Sequence, residues 1–346
     1  YSAYFAMDVT NPDSPKLLWS FSSSNLGLST SVPAVVRVNP AADAKASNTN
    51  AKWYMVVGSG PTGYDASVTQ SAKVFAIDLA TGPGSSNALV TSYSVGSWNS
   101  YIGDITALDR DLDYRHDVVY FGRVIHDGAL PWRGKIYRLT MGAGGATAKF
   151  GTVTNPSQWG IASGSARVPT EMLDTFTSGA EMGPVASAPS VTLDDAANVW
   201  VFVGSGRYYS KSDKTDLSTQ YFVGMKDSVL NTGCNQSAGA LSCMDNDLVD
   251  VSNATVCVVG VGDCGLASGT NQVSGVTGAT TFAGLISLVQ SKDGWVTKLV
   301  EPANPPTNPT PYGIGERAVS SPTVFGGVVF FPTFIPTNDI SVSTGT

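Results

Sequence analysis

The densest run of chemistry-bearing side chains occupies residues 109–117, Asp-Arg-Asp-Leu-Asp-Tyr-Arg-His-Asp. Carboxylates stand at positions 1, 3, 5 and 9 of that run, as Asp109, Asp111, Asp113 and Asp117. Four carboxylates this close repel one another unless a cation neutralises them. A hard cation such as Ca2+ takes about six to eight oxygens at about 2.3–2.6 Å. Alternate residues of a tight turn point to one side, which suits Asp109, Asp111 and Asp113. Arg115, at position 7, is expected to offer its backbone carbonyl while its side chain points to solvent. Asp117 is expected to close the loop directly or through water. The match to an EF-hand is partial. Tyr114 stands where that loop has its glycine, and Tyr120 where it has a bidentate glutamate. The flanks, 102–108 and 118–122, read as strands, and this spacing on a β-hairpin is the pattern of calcium loops in propeller blades. The competing reading is a solvated acidic turn neutralised by Arg110 and Arg115.

Other candidates for chemistry are weaker. His116 and His126 are the only histidines and read as polar surface. Asp127 beside His126 suggests a dyad, but no Gly-x-Ser-x-Gly elbow supplies a nucleophile. Lys226-Asp227 and Glu316-Arg317 read as surface ion pairs, and such pairs contribute about 0–1 kcal/mol. No catalysis is expected.

The elements that must position the acidic loop are short β-rich runs bounded by Gly, Pro, Asp and Asn. They repeat. Ser31-Val-Pro-Ala-Val35, Ser187-Ala-Pro-Ser-Val191 and Ser321-Pro-Thr-Val324 each open a run. Trp53-Tyr-Met-Val-Val-Gly-Ser-Gly60 follows the first and Val199-Trp-Val-Phe-Val-Gly-Ser-Gly206 the second. Gly326-Gly-Val-Val-Phe-Phe331 follows the third. The next strand also recurs, as Tyr4-Phe-Ala-Met-Asp8, Lys73-Val-Phe-Ala-Ile-Asp78 and Tyr221-Phe-Val-Gly-Met-Lys-Asp227, with Gly134-Lys-Ile-Tyr-Arg-Leu139 a looser copy. Such a unit cannot cover both of its own faces. Stacking units radially covers them, which predicts an all-β propeller. A sandwich is the runner-up. Fuller units are expected at 29–95, 100–153 and 186–300. The late strands of a unit fall at 2–21 and the early strands of another at 318–334. The two ends either close a small ring or belong to a partial propeller. Residues 1–346 are read as one propeller domain, or a fragment of one, with an insertion at 230–280. The stretch 302–311 reads as a proline-rich connector.

Composition excludes several classes. Of 346 residues only 14% are charged, against about 25% in ordinary domains. The net charge is −7 and no Lys/Arg run occurs, so nucleic acid is not an expected partner. No apolar run is long enough to cross a membrane as a helix. The chain starts at Tyr1 with no leader pattern, so any secretory signal is expected to have been removed. Cys234, Cys243, Cys257 and Cys264 cluster in one stretch. Their spacing matches no common zinc pattern, so disulfides and an oxidising compartment are the better reading. Of three possible connectivities, Cys234–Cys243 with Cys257–Cys264 is favoured, because neighbours close short loops.

With these residues in view, the chain resembles the PilY-type pilus-tip proteins. Tyr4-Phe-Ala-Met-Asp-Val-Thr-Asn-Pro12 with Leu18-Trp19 resembles a strand pair of that family. Gly103-Asp-Ile105, the 109–117 loop, Val119-Tyr-Phe-Gly122 and Trp132-Arg-Gly-Lys-Ile-Tyr-Arg138 resemble its calcium-loop blade. Gly315-Glu-Arg317 with Gly326-Gly-Val-Val-Phe-Phe-Pro-Thr-Phe-Ile-Pro336 resembles its late blade. The resemblance implies a modified, quinoprotein-like propeller on the bacterial surface and at the type IV pilus tip. It implies a non-enzymatic role in pilus biogenesis and adhesion, with calcium biasing pili between extension and retraction and so affecting twitching motility. It implies calcium ligands at Asp109, Asp111, Asp113, the Arg115 carbonyl and Asp117. The partners it implies are pilin or minor pilins and upstream blades of a longer chain. Family members continue upstream and downstream of the region matched here, which favours the partial propeller. No Arg-Gly-Asp occurs, so attachment through that motif is not supported. Two alternatives are a quinone-dependent dehydrogenase, also a calcium-bearing propeller, and a passive structural propeller. The first commonly carries adjacent cysteines, and none occur here.

Overall fold

The computed structural model describes residues 2–126, 128, 131–142, 150–173, 176, 179–227, 247–258, 271–299 and 315–336. A hairpin of β1 (Tyr4–Asp8) and β2 (Lys16–Phe21) comes first. The first blade is an antiparallel meander of β3 (Ala34–Val38), β4 (Lys52–Gly58), β5 (Ser71–Asp78) and the opening half of β6 (Thr91–Leu108). From Ser100 onward β6 leaves β5 and pairs instead with β7 (Val118–Ile125). One long strand therefore belongs to two blades. β8 (Arg133–Thr140) continues the second blade, a small hairpin of β9 (Ile161–Ser163) and β10 (Ala166–Val168) follows, and β11 (Thr170–Leu173) completes it. The third blade is β12 (Ser190–Leu193), β13 (Val199–Gly204), β14 (Gln220–Lys226) and β18 (Gly294–Leu299). Between β14 and β18 lie β15 (Leu248–Asp250), β16 (Thr255–Cys257), β17 (Gln272–Ser274) and α1 (Phe282–Ser291). A last hairpin pairs β19 (Thr323–Phe325) with β20 (Val328–Phe330).

The sheets stack face to face in chain order. Phe21 and Leu26 pack the first hairpin against Met55, Val57, Phe75 and Ile77 of blade one. Val56, Val74 and Tyr93 of blade one meet Val119, Phe121 and Leu139 of blade two. The other face of blade two, Val118, Tyr120 and Ile136, meets Val201, Val203 and Val223 of blade three. Phe202 and Phe222 then receive Val324, Val329 and Phe331 at the last hairpin. A strand covered on both sides needs apolar residues on both faces, and all eight residues of β7 are buried. This is the propeller expected from the repeats, in an open form, with no closed sheet among the described residues.

The repeated motifs have physical jobs. Ser59 and Ser205, the serines of Gly-Ser-Gly, are fully buried. Each uses its hydroxyl to accept a backbone N–H of the next strand, from Lys73 at 2.9 Å and Tyr221 at 2.8 Å. Each also donates its own N–H back to the same residue's carbonyl. A glycine within each second strand faces the next blade. A Cβ on Gly58 would lie 2.3 Å from Ile102, on Gly122 2.1 Å from Val185, and on Gly204 2.3 Å from Ala318. Those approaches let adjacent blades pack at glycine distance, which any side chain would prevent.

Several expectations need adjusting. The second unit runs on to β11, beyond 153, because the β9–β10 excursion separates its fourth strand from β8. The region 230–280 is partly outside the described residues. Inside them, β15 extends blade three in parallel with β18, and Thr281 caps α1 by accepting the Gly284 N–H. Helical periodicity has no place in the strand-based reading, so α1 is an addition to it. Cys234, Cys243 and Cys264, and the connector 302–311, lie outside the described residues. Cys257, at the end of β16, is not a free thiol. Lys226-Asp227 and Glu316-Arg317 are not surface ion pairs. Asp227 is fully buried and holds Arg138 from the neighbouring blade, while Lys226 donates to the Gln290 carbonyl. Arg317 is buried and donates to the carbonyls of Arg207, Asp213, Gly315 and Asp216, while Glu316 accepts from Thr333. Among the described residues no helix is long and apolar enough to cross a membrane.

Candidate metal centre

The acidic loop joins β6 to β7, whose last pair, Leu108 and Val118, closes the hairpin. Asp117 locks its base by donating its N–H to the Leu108 carbonyl at 2.8 Å. Within the loop, Asp109 accepts the N–H groups of Asp113 at 3.2 Å and Tyr114 at 2.8 Å. Asp117 accepts the Arg110 N–H at 2.7 Å. Leu112 and Tyr114 sit in the left-handed region, at φ 53° and 69°. That curl sends both of their side chains outward, where they are exposed. One carboxylate oxygen from each of Asp109, Asp111 and Asp117 lies within 4.8 Å of the others.

The electrostatics match crowding. Burial pushes the Asp117 carboxyl up to about 7; the Arg110 N–H opposes this, and the charges of Asp111, Asp109 and Asp113 add to it. Burial also raises Asp109, against the pull of the Tyr114 and Asp113 N–H groups. Holding these groups ionised costs the cation-free protein free energy that a bound cation would return. The three converging donors are carboxylate oxygens, a hard donor set. His116 Nδ1 accepts the Arg37 N–H at 3.0 Å, and burial holds its imidazole below the usual histidine range. The group therefore fits a calcium ion better than a soft metal.

The Arg115 side chain and the Asp113 carboxylate are placed differently from expectation. The Arg115 side chain does not point to solvent. It is 3% exposed and forks onto Asp113, with Nε at 2.8 Å from Oδ2 and Nη2 on the same oxygen. Its Nη1 donates to the Ala41 carbonyl at 2.9 Å. The reason is the adjoining 39–48 segment of blade one, whose carbonyls take a buried guanidinium that the linear sequence places beside nothing. Asp113 accordingly faces Arg115 and is not among the three converging carboxylates. The neutralised-turn reading holds for that one carboxylate. The Arg110 guanidinium instead reaches the Ala197 carbonyl of blade three, at 3.4 Å.

Sequence reasoning missed Arg37. It lies on β3, 5% exposed, and donates to the Tyr114 carbonyl and to Asn48 Oδ1 at 2.9 Å, while its backbone exchanges hydrogen bonds with His116. The available signal was an arginine inside the apolar run Ala34-Val-Val-Arg-Val38. Beneath the loop, Tyr120 and Arg138 both bond Asp227, at 2.8 and 2.6 Å, pinning β7 and β8 to blade three. His126 stacks on Trp132 at 4.2 Å, away from the acidic loop.

No family model matches the chain. Two curated relatives are both described as Type IV pilus biogenesis factor PilY1 homolog of Xylella fastidiosa. One is 25% identical over 99% of this chain, and the other 23% over 64%. The chain spans 20% and 15% of the length of these relatives. The crystal structure of the Pseudomonas aeruginosa PilY1 C-terminal domain superposes over 97% of this chain and 62% of that one, at a TM-score of 0.60 and 20% identity. The chain is thus similar along almost its whole length to a PilY1 homolog and shares the fold of the PilY1 C-terminal domain.

Proposed function

We propose that this chain is the calcium-responsive module of a type IV pilus biogenesis factor, acting without catalysis at the cell surface or pilus tip. The observation that carries the calcium part is the convergence of Asp109, Asp111 and Asp117 oxygens within 4.8 Å on a hairpin loop. The relatives named for pilus biogenesis supply the cellular context. A cation held there would neutralise the loop and stiffen the turn between β6 and β7. Because Arg37 and Arg115 tie that turn to blade one, the ion would set the relation of two blades, which suits a switch between pilus extension and retraction. Adhesion and contact with pilin or minor pilins at the tip complete the reading.

Calorimetric titration tests the first part. The wild-type chain is expected to take up one calcium, with magnesium a poor substitute because its small octahedral shell dehydrates reluctantly. Asp111→Ala, at an exposed position, is expected to lose most of that affinity while keeping the fold. Equal uptake by the variant and the wild type would refute the site. In cells, the same substitution in the full-length protein is expected to change surface pilus number or twitching motility at normal protein levels. Unchanged pili would leave the ion a structural staple.

A further inference from the structure

We draw no further inference here: the strongest candidate, the aromatic groove between blade three and the β19–β20 hairpin, lined by Trp200, Phe202, Trp295, Phe325 and Phe331, is an apolar face for which nothing in the structure shows what covers it.

Discussion

Replacing Asp117 with asparagine is expected to stabilise the cation-free protein and to destroy its response to calcium. Asp117 is 7% exposed, and its carboxyl is pushed up to about 7 by burial and by three neighbouring acids. The folded carboxyl therefore holds a proton between about 4 and 7 that the unfolded chain has released. Stability contributed by this group falls as pH rises through that window and stays low above it. From the usual 3.8 to about 7 the difference amounts to about 4 kcal/mol at pH values well above 7. The asparagine side chain would carry no charge, and its amide oxygen would still accept the Arg110 N–H that Asp117 accepts at 2.7 Å. In chelator at pH 8, urea unfolding followed by tryptophan fluorescence should place Asp117→Asn above wild type by about 2–4 kcal/mol. At pH 4 the two should nearly coincide. Calcium at a hundredfold excess over its dissociation constant adds about 2.7 kcal/mol to a protein that binds it only when folded. The wild type should gain that amount and the variant close to nothing. A variant less stable than wild type in chelator at pH 8, or a pH-independent difference between them, would refute the argument that burial and crowding strain this carboxylate.

Other outcomes follow from the packing. Asp227→Ala leaves the fully buried Arg138 without its carboxylate and should cost about 3–5 kcal/mol by chemical denaturation, whereas Asp227→Leu with Arg138→Met should recover most of it; a single-variant loss below about 1 kcal/mol would show that the pair does not tie blade two to blade three. Gly122→Ala places a Cβ 2.1 Å from Val185 and should cost about 1–3 kcal/mol, read as a lowered Tm. A neutral effect would mean the blades are not packed at glycine distance. Labelling the unfolded, unreduced protein should find no free thiol, and peptide mapping should join Cys234 to Cys243 and Cys257 to Cys264, each bond contributing about 2–4 kcal/mol. A peptide joining Cys243 to Cys257 would sink the local pairing.

The repeats were readable because each performs the same local task wherever it occurs. A serine after the second strand takes the next strand's N–H in both full Gly-Ser-Gly copies, so the motif survives as a short string. The doubly covered strand β7 was readable for a similar reason, since burial on two faces demands apolar residues at successive positions, as in Val118-Val-Tyr-Phe121. The fourth strand of blade two escaped because β9 and β10 intervene, and strand order in a sheet is a long-range property. α1 escaped because a capped helix of ten residues leaves little periodic signal among the twenty strands of the described residues.

For the candidate metal centre, the sequence by itself determined that four carboxylates would share one hairpin turn, because residue spacing and the flanking strands suffice to say so. It also determined that the turn would sit on a propeller blade, because the repeats leave blade faces that only neighbouring blades can cover. Only the tertiary structure decided which carboxylates converge. Arg115 and Asp113 are two residues apart, but whether that arginine turns outward or inward depends on the carbonyls of Asn39 and Ala41, which blade one brings to it from more than seventy residues away in the chain. Arg37 reaches the Tyr114 carbonyl across the same inter-blade seam. A buried guanidinium needs several acceptors at once, and in this fold no single segment supplies them, so the division of the four acids was settled where two blades meet.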